Sequence, residues 1–196
     1  MKLRLLNASH QAICYFGRLS NYTYVHEVMQ DRLIEGLMRR YMDEEGTPTL
    51  SPVPGVDLVD YKNQLVERFS NPQVLDTVAR LAAESSDRIP KWLVPVIREQ
   101  LEKNGQVKFS AAIVASWARY DEGVDEVGQA INVVDPLKEE LMAIAKTQSS
   151  NPKAFIENKR LFGDLAQDER FTKPYLVALD SLHKVGAQAT LKSLLN

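Results

Sequence analysis

The first residues of the chain contain an amine, an amide and an imidazole that could do chemistry together. They are the side chains of Lys2, Asn7 and His10. A lysine whose pKa is depressed can act as a general base. An amide and an imidazole can donate hydrogen bonds to an oxygen on which negative charge develops. The three side chains therefore make a candidate site for proton transfer at a bound oxygen.

A helical wheel places these polar groups within or beside an apolar face. With Lys2 at the origin and 100° per residue, His10 lies at about 80° and Asn7 at about 140°. The apolar sector, between about 20° and 120°, holds Ile13, Leu6, Gly17, Leu3 and Cys14. The hydrophilic sector holds Arg18, Gln11 and Arg4. Because burying unpaired polar groups is costly, the three groups either face a cleft or are paired in the core.

The spacing of Lys2, Asn7 and His10 does not decide between a functional and a structural interpretation. In the functional one, this helix face borders a water-filled pocket in which Lys2 acts as the base. In the structural one, neighbouring carbonyl groups satisfy Asn7 and His10 within the core, while Lys2 extends its amine to solvent.

Helix-start signals recur along the rest of the chain. Asn71-Pro72, Asp135-Pro136 and Asn151-Pro152 each place a capping side chain before a proline suited to the first helical position. Apolar residues then recur with a helical period: Val74, Val78 and Leu81; Leu137, Leu141 and Ile144; Phe155, Ile156 and Leu161. Further amphipathic stretches cover residues 24–42, 58–69, 90–101, 110–120 and 174–183.

A mainly α fold follows from this pattern. Gly186 predicts a stop before a last helix over residues 187–195. The best strand candidates, residues 107–109 and 131–134, are short. Residues 46–55 contain three prolines and predict a stiff, non-helical crossing. Since helical stretches lie on both sides, we expect a loop that wraps one domain, formed by residues 1–196.

Composition excludes several classes of function. The 196 residues carry a formal net charge of −2, which argues against an electrostatic nucleic-acid binder. The single cysteine, Cys14, favours a reducing compartment. No apolar run approaches the ~18 residues of a membrane span, and no signal-peptide core follows Met1. We expect a cytoplasmic chain that binds neither nucleic acid nor membrane.

The sequence also lacks motifs for a cofactor or a metal. Neither G-x-G-x-x-G nor G-x-x-x-x-G-K-[ST] occurs, so no residue is assigned to cofactor binding. His10, His26 and His183 are too dispersed for a local metal motif, and Cys14 has no partner ligand. No metal site is predicted, although one assembled from distant segments stays open.

The spacing of Lys2, Asn7 and His10 resembles the K-x-x-x-x-N-x-x-H signature of the mannitol dehydrogenase family, the polyol-specific long-chain dehydrogenases. Other blocks resemble the family in the expected order: YVHE (24–27), YMDEE (41–45), PVPGVD (52–57), SSDRIPKW (85–92), SWARY (116–120) and FGDL (162–165). The resemblance is to the C-terminal half, a multi-helical substrate domain similar to that of 6-phosphogluconate dehydrogenases. It implies that the Rossmann domain, which binds the nicotinamide cofactor, is missing here.

The resemblance also implies roles for single residues in a zinc-independent hydride transfer. Lys2 would take the proton of a secondary hydroxyl, its pKa lowered by desolvation against Leu3 and Leu6. Asn7 would donate to the oxygen, and His10 would hold that oxygen or a neighbouring hydroxyl. Arg80 and Arg88 could hold the far end of the polyol. Arg88 stands where many relatives have lysine, which leaves its role in doubt.

The implied reaction interconverts D-mannitol and D-fructose, with NAD or NADP bound by the missing Rossmann domain. This chain alone is expected to have little activity. Another polyol or a uronate is an alternative substrate. A second alternative is a non-catalytic helical module that uses the exposed domain interface for protein association, so self-association of the chain is also expected.

Overall fold

The computed structural model describes residues 1–52 and 54–196. Eleven α-helices occur in this part of the chain. They are α1 (Ala8–Leu19), α2 (Val25–Val28), α3 (Arg32–Arg40), α4 (Leu58–Ser70), α5 (Val78–Ala82), α6 (Ser85–Trp92), α7 (Val94–Glu102), α8 (Lys108–Tyr120), α9 (Lys138–Ala145), α10 (Lys159–Phe162) and α11 (Glu169–Leu195). There are also two π-helical turns, Leu3–Asn7 and Tyr41–Gly46, and three 3₁₀ turns, Thr47–Thr49, Pro72–Val74 and Leu165–Gln167.

Among the described residues, β-bridges occur at two isolated antiparallel positions. One joins Tyr24 to Thr77, and the other joins Val124 to Ala130. The prediction of a mainly α fold is confirmed, but both strand candidates are wrong. Residues 131–134 have no regular structure. Residues 108 and 109 are helical instead, because the buried carboxylate of Glu45 accepts the Phe109 N–H at 2.7 Å and so caps α8.

Helix α8 lies at the centre of the core, which explains why most of its residues are apolar. All residues from Phe109 to Tyr120 are buried, and α1 and α11 pack against the helix. Trp117 meets the Phe155 ring edge-on, with the centroids 4.9 Å apart. A helix with this pattern belongs inside a larger core, and the helix predicted over 110–120 is confirmed.

A side-chain carboxylate caps one other predicted helix, and a second carboxylate holds the turn that precedes another. Asp57 accepts the N–H of Val59 at 2.8 Å, which starts α4 and confirms the helix over 58–69. Asp135 accepts the N–H of Leu137 at 2.8 Å, ahead of α9. The helix predicted after Asp135-Pro136 is therefore also confirmed.

The other two proline pairs do not begin α-helices. After Asn71-Pro72 the chain makes a 3₁₀ turn, and Leu75 is left-handed with φ of 46°. Val74 is consequently 53% exposed, whereas Val78 and Leu81 are buried in α5.

The cap itself does not decide this difference, because Asn71 Oδ1 accepts the N–H of Gln73 two residues on, just as Asp57 accepts that of Val59. The 3₁₀ turn ends instead at Leu75, where the backbone becomes left-handed. Asn151 Oδ1 likewise accepts the N–H of Lys153 two residues on. Successive turns follow there, and a helix forms only at α10.

Two long predicted helices are each broken in two. Asp31 caps α3 within the stretch 24–42 by accepting the N–H of Leu33 at 2.9 Å. Within 90–101, α6 has already begun at Ser85, and α7 follows after Leu93. The break falls there because Pro95 has no N–H to donate to the carbonyl four residues earlier.

The proline-rich segment is partly helical, contrary to the prediction. A 3₁₀ turn covers Thr47–Thr49, and the Thr49 hydroxyl donates to Gly46 O at 2.7 Å. Residues 50–52 and 54–57 have no helix. Val53, which belongs to this segment and to one family block, lies outside the described residues.

The end of the chain bends at Gly186, as predicted. Helix α11 starts at Glu169, ahead of the predicted 174, and Gly186 has φ of 81° and ψ of 176°. The Glu126 carboxylate accepts the Ala187 N–H just beyond this kink. None of the described helices is long and apolar enough to cross a membrane.

Candidate active site

The helix that begins the chain opens with a π turn, which changes the geometry of the candidate site. The N–H of Ala8 donates to Leu3 O, five residues back. In an α-helix, residues five apart are separated by about 140° around the axis. A π turn closes i→i+5 bonds, so it brings Lys2 and Asn7 closer to one side of the helix. His10 follows Asn7 by three residues in α1, on the same face.

Two predictions of the helical wheel are wrong. Gln11, predicted to be in the hydrophilic sector, is fully buried. Leu3, predicted to be on the buried face, is 50% exposed. Helix α1 is buried on almost every side, so a wheel with a single buried face does not describe it.

Lys2 is exposed, and Leu6 is half-buried. The described residues of this chain therefore do not desolvate the Lys2 amine in the way predicted from Leu3 and Leu6. Asn7 is half-buried, and its side chain does not cap α1. The amine and the amide consequently lie at the more open end of the helix.

His10 lies deeper, against the last turn of α4. Its ring is 4.6 Å from the Phe69 ring, centroid to centroid, with an interplanar angle of 35°. Burial lowers the pKa of His10 to about 4, and the positive charge of Arg80 adds to this effect. Its imidazole is therefore neutral at neutral pH, with one nitrogen able to donate a hydrogen bond and the other able to accept one.

A small cavity of about 60 Å³ opens beside His10. It is lined by His10, Val25, His26, Arg68, Phe69, Asn71, Val74, Asp76 and Arg80. This volume holds a few water molecules or one end of a small polar ligand. The lining combines aromatic and aliphatic surface with guanidinium and imidazole donors, which suits hydroxyl groups.

An ion pair orients Arg80 at the wall of this cavity. Its guanidinium binds both oxygens of Asp76, with 2.5 Å between Arg80 Nε and Asp76 Oδ1. This contact lowers the pKa of Asp76. The Tyr24–Thr77 bridge, with Val25 N–H donating to Asp76 O at 2.9 Å, ties this segment to α2.

Arg88 is held by several contacts at the start of α6. Its Nη1 donates to Arg80 O at 3.2 Å and to Leu81 O at 3.1 Å. Its Nη2 lies 3.1 Å from the Glu84 carboxylate, and its guanidinium lies 5.6 Å from the centroid of the Trp92 ring. With its side chain 18% exposed, Arg88 keeps a defined position.

The structure brings some of the predicted residues together and leaves others apart. His10 and Arg80 share the cavity, and the positive charge of Arg88 also acts on His10. Lys2, Asn7 and Arg88 do not line the described cavity. The predicted site is thus split between this cavity and the open end of the first helix.

Sequence reasoning missed Asp76, Phe69 and His26 at this site. The acid–base spacing of Asp76 and Arg80, four residues apart, was a usable signal. No local pattern connects Phe69 with His10, since they meet only through tertiary packing. Within the described residues, no group of three or more His, Cys, Asp or Glu side chains could hold a metal ion.

The described residues do not form a Rossmann dinucleotide site. Such a site needs a strand, a glycine-rich turn and a helix N-terminus that receives the pyrophosphate. This part of the chain is helical, with two isolated bridges and no sheet.

Residues 1–183 match the family of mannitol dehydrogenase C-terminal domains. The mannitol 2-dehydrogenase of Aspergillus fumigatus is 39% identical over 196 residues, which cover 100% of this chain and 39% of the relative. That of Phaeosphaeria nodorum is 43% identical over 192 residues, 97% of this chain and 33% of the relative. The chain thus spans about two fifths or less of the length of these relatives.

Solved structures agree with the sequence relatives. A Pseudomonas fluorescens mannitol 2-dehydrogenase in ternary complex with NAD and D-mannitol matches with a TM-score of 0.96 at 38% identity. The match covers 100% of this chain and 40% of that one. A substrate-free D-sorbitol dehydrogenase has the same fold, with a TM-score of 0.88 at 23% identity over 97% of this chain and 39% of that one. The family resemblance seen in the sequence is confirmed, and the chain belongs to the mannitol dehydrogenase family, whose C-terminal domain it matches.

Proposed function

We propose that this chain is the substrate-binding and general-base part of a polyol dehydrogenase that interconverts D-mannitol and D-fructose with NAD(P). Membership of the family supports this, as do relatives named mannitol 2-dehydrogenase, one of them solved with NAD and D-mannitol. We also propose that residues 1–196 form one domain. Helices from both ends of the sequence, α1 and α11, pack on the same central helix α8.

In this proposal Lys2 takes the proton from the secondary hydroxyl of the polyol and returns it to the ketone in reverse. Asn7 donates a hydrogen bond to the oxygen that gains negative charge. His10, neutral because its pKa is lowered to about 4, donates a second hydrogen bond to that oxygen or its neighbour. The π turn supports this assignment, because it brings Lys2 towards the side of the helix that holds Asn7 and His10.

Arg80 and Arg88 bind the remaining hydroxyl groups. Asp76 holds the Arg80 guanidinium in one orientation, so less side-chain entropy is lost when a ligand binds. Arg88 stands where many relatives have lysine. Its guanidinium offers a planar pair of donors, which suits vicinal hydroxyls. Arg80 and Arg88 contact hydroxyl groups that are remote from the reacting carbon. Their contacts therefore mainly affect the affinity for substrate.

The cofactor would be bound by the remainder of a complete enzyme. The matched relatives are more than twice as long as this chain, and one is solved with NAD. NAD or NADP supplies the hydride acceptor when bound there. We therefore propose that the isolated chain has little activity and that its Lys2 amine becomes covered by the cofactor-binding half.

The shared cavity of His10 and Arg80 is the observation that carries the proposal, because it joins a family signature residue to a predicted substrate ligand. The test is a fusion of this chain to the portion of the Pseudomonas fluorescens enzyme that it does not match. Reduction of D-fructose by NADH should appear in the fusion and be absent from the isolated chain. A folded fusion that reduces no ketose would contradict the proposal.

Exposed apolar side chains support self-association as a second proposal. Leu3, Val74 and Leu75 are 50%, 53% and 64% exposed near the candidate site. Such side chains favour contact with another surface. Light scattering should show a mass above 22.1 kDa that returns to the monomer value in a variant with Leu75→Ser; a monomer at every concentration would contradict this.

A further inference from the structure

Three buried polar side chains connect α1 to the corner between α5 and α6. Gln11 and Tyr15 are fully buried, and Ser85 is 1% exposed. The Tyr15 hydroxyl donates to Gln11 Oε1 at 2.5 Å and lies 2.5 Å from Ser85 Oγ. Such groups are costly to bury unless their partners are placed correctly, so the network favours one arrangement of the helices.

The network ends on the same carbonyl that holds Arg88. Gln11 Nε2 donates to Leu81 O at 3.3 Å, and Arg88 Nη1 donates to the same oxygen at 3.1 Å. Ser85 Oγ also lies 2.9 Å from the next carbonyl oxygen, Ala82 O, and its one hydrogen serves either this carbonyl or the Tyr15 oxygen at a given moment. One backbone oxygen is thus shared between the helix of His10 and the guanidinium of Arg88.

The other side-chain partners of Arg88 cannot fix it relative to α1. Glu84 is the N-cap of α6, and Trp92 lies within α6, so both residues move with Arg88. Gln11, by contrast, directly follows His10 in α1. Two described links therefore connect the helix of His10 with Arg88: Gln11 through Leu81 O, and Tyr15 through Ser85 of α6.

We propose that Gln11, Tyr15 and Ser85 are positioning residues that hold Arg88 at a fixed place relative to His10 and thereby set the affinity for the polyol. This inference rests on the proposed function, in which Arg88 binds the far end of the substrate. Gln11 touches neither the cavity nor the proposed reacting atoms, and acts through Leu81 O. Its loss should weaken substrate binding more than it slows the chemical step.

The first test uses Gln11→Met in the fusion enzyme, because methionine keeps the size of glutamine and removes the amide. KM for D-fructose should rise about fivefold or more, with kcat changed less than about twofold. In an Arg88→Ala background, Gln11→Met should produce no further rise in KM, since the two residues act through one contact. A KM effect that persists undiminished in that background would overturn the inference.

The matched control is Tyr175→Phe. Tyr175 is also fully buried and donates to the side chain of a buried glutamine, Gln148, at 3.3 Å, but it lies on α11. The Tyr175→Phe substitution should lower the stability of the fold without changing KM for D-fructose. Equal KM changes in Tyr175→Phe and Gln11→Met would mean that general loosening, not positioning, explains the effect.

A second test does not depend on activity and uses the chain alone. Solvent exchange of the Arg88 Nη1 protons, which donate to Leu81 O and are followed by ¹⁵N NMR, should accelerate about threefold or more in Gln11→Met and in Ser85→Ala. Tyr175→Phe should leave it unchanged. Unchanged exchange in both network variants would overturn the inference, whereas an inactive wild-type fusion would count against the proposed function alone.

Discussion

The imidazole of His10 packs against the ring of Phe69 at a tilt of 35°, with 4.6 Å between the centroids, and this contact joins the first helix to the end of α4. Phe69 is 6% exposed and removes one face of the imidazole from water. Because burial is the largest cause of the lowered His10 pKa, this contact helps to keep the imidazole neutral.

Replacement of Phe69 should therefore move the titration of His10. In Phe69→Ala the pKa should rise from about 4 towards 6.5, because water reaches the imidazole. Stability should fall by about 3 kcal/mol, the usual cost of removing a buried phenylalanine ring. NMR titration of the His10 ring protons measures the first effect. Phe171→Ala, which removes a buried ring beside Tyr175, should leave the His10 pKa unchanged.

Asp76→Asn should disturb Arg80 without removing it. The guanidinium loses its two charge-assisted bonds, and its orientation at the cavity is no longer fixed. KM of the fusion enzyme for D-fructose should rise about threefold or more, with a smaller change in kcat. Asp87→Asn is the control, because Asp87 forms a similar pair with Lys91 in an exposed position. Equal effects of the two variants would contradict a specific role for Asp76.

Two buried groups should give the stability of this chain opposite dependences on pH. Burial raises the pKa of Glu45 to about 7, although the N–H groups of Phe109 and Ser110 oppose the shift. The folded state therefore holds the Glu45 proton between pH 4.5 and 7, so its contribution is lost as pH rises through 7. His10 behaves in the opposite way: its contribution is present above pH 6.5 and is lost as pH falls towards 4.

Glu45→Gln should isolate the first of these effects. The stability of the wild type relative to this variant should fall by up to roughly 3 kcal/mol between pH 4.5 and 7. The His10 contribution cancels in this comparison, since both proteins contain it. Urea unfolding at several pH values measures the difference. A difference that stays constant with pH would contradict the raised pKa of Glu45.

Gly186→Ala should destabilise the chain through its backbone conformation and through contact. With φ of 81° and ψ of 176°, Gly186 occupies a region that costs other residues about 1–3 kcal/mol. An added Cβ would also lie 2.8 Å from Glu126 Oε2. Gly128→Ala is the control, since Gly128 has φ of 80° and nothing within 4 Å of the added Cβ. Denaturant unfolding should show the larger loss for Gly186→Ala.

The sequence was most informative where local chemistry decides the structure. Apolar periodicity predicts α8, the Asp135-Pro136 cap predicts α9, and the glycine at 186 predicts the kink of α11. The family signature contains His10, and Arg80, predicted separately as a substrate ligand, lines the same cavity. In these places a side chain acts on its near neighbours, so the spacing carries the information.

Features that depend on tertiary packing were not predictable. The π turn at Leu3–Asn7 is invisible to a wheel of constant angle. The burial of Gln11 follows from neighbours on almost every side of α1, which the wheel does not include. The contact between His10 and Phe69 joins two helices far apart in sequence. Whether Asn71-Pro72 begins an α-helix or a single 3₁₀ turn likewise depends on what the following residues can pack against.

Lys2→Ala in the fusion enzyme shows whether Lys2 is the general base. A general base contributes about 100-fold or more, so kcat/KM for D-fructose reduction should fall by at least that factor. Lys192→Ala, at an equally exposed lysine on α11, should leave the rate unchanged. A Lys2→Ala enzyme with activity within a few-fold of the wild type would contradict the account.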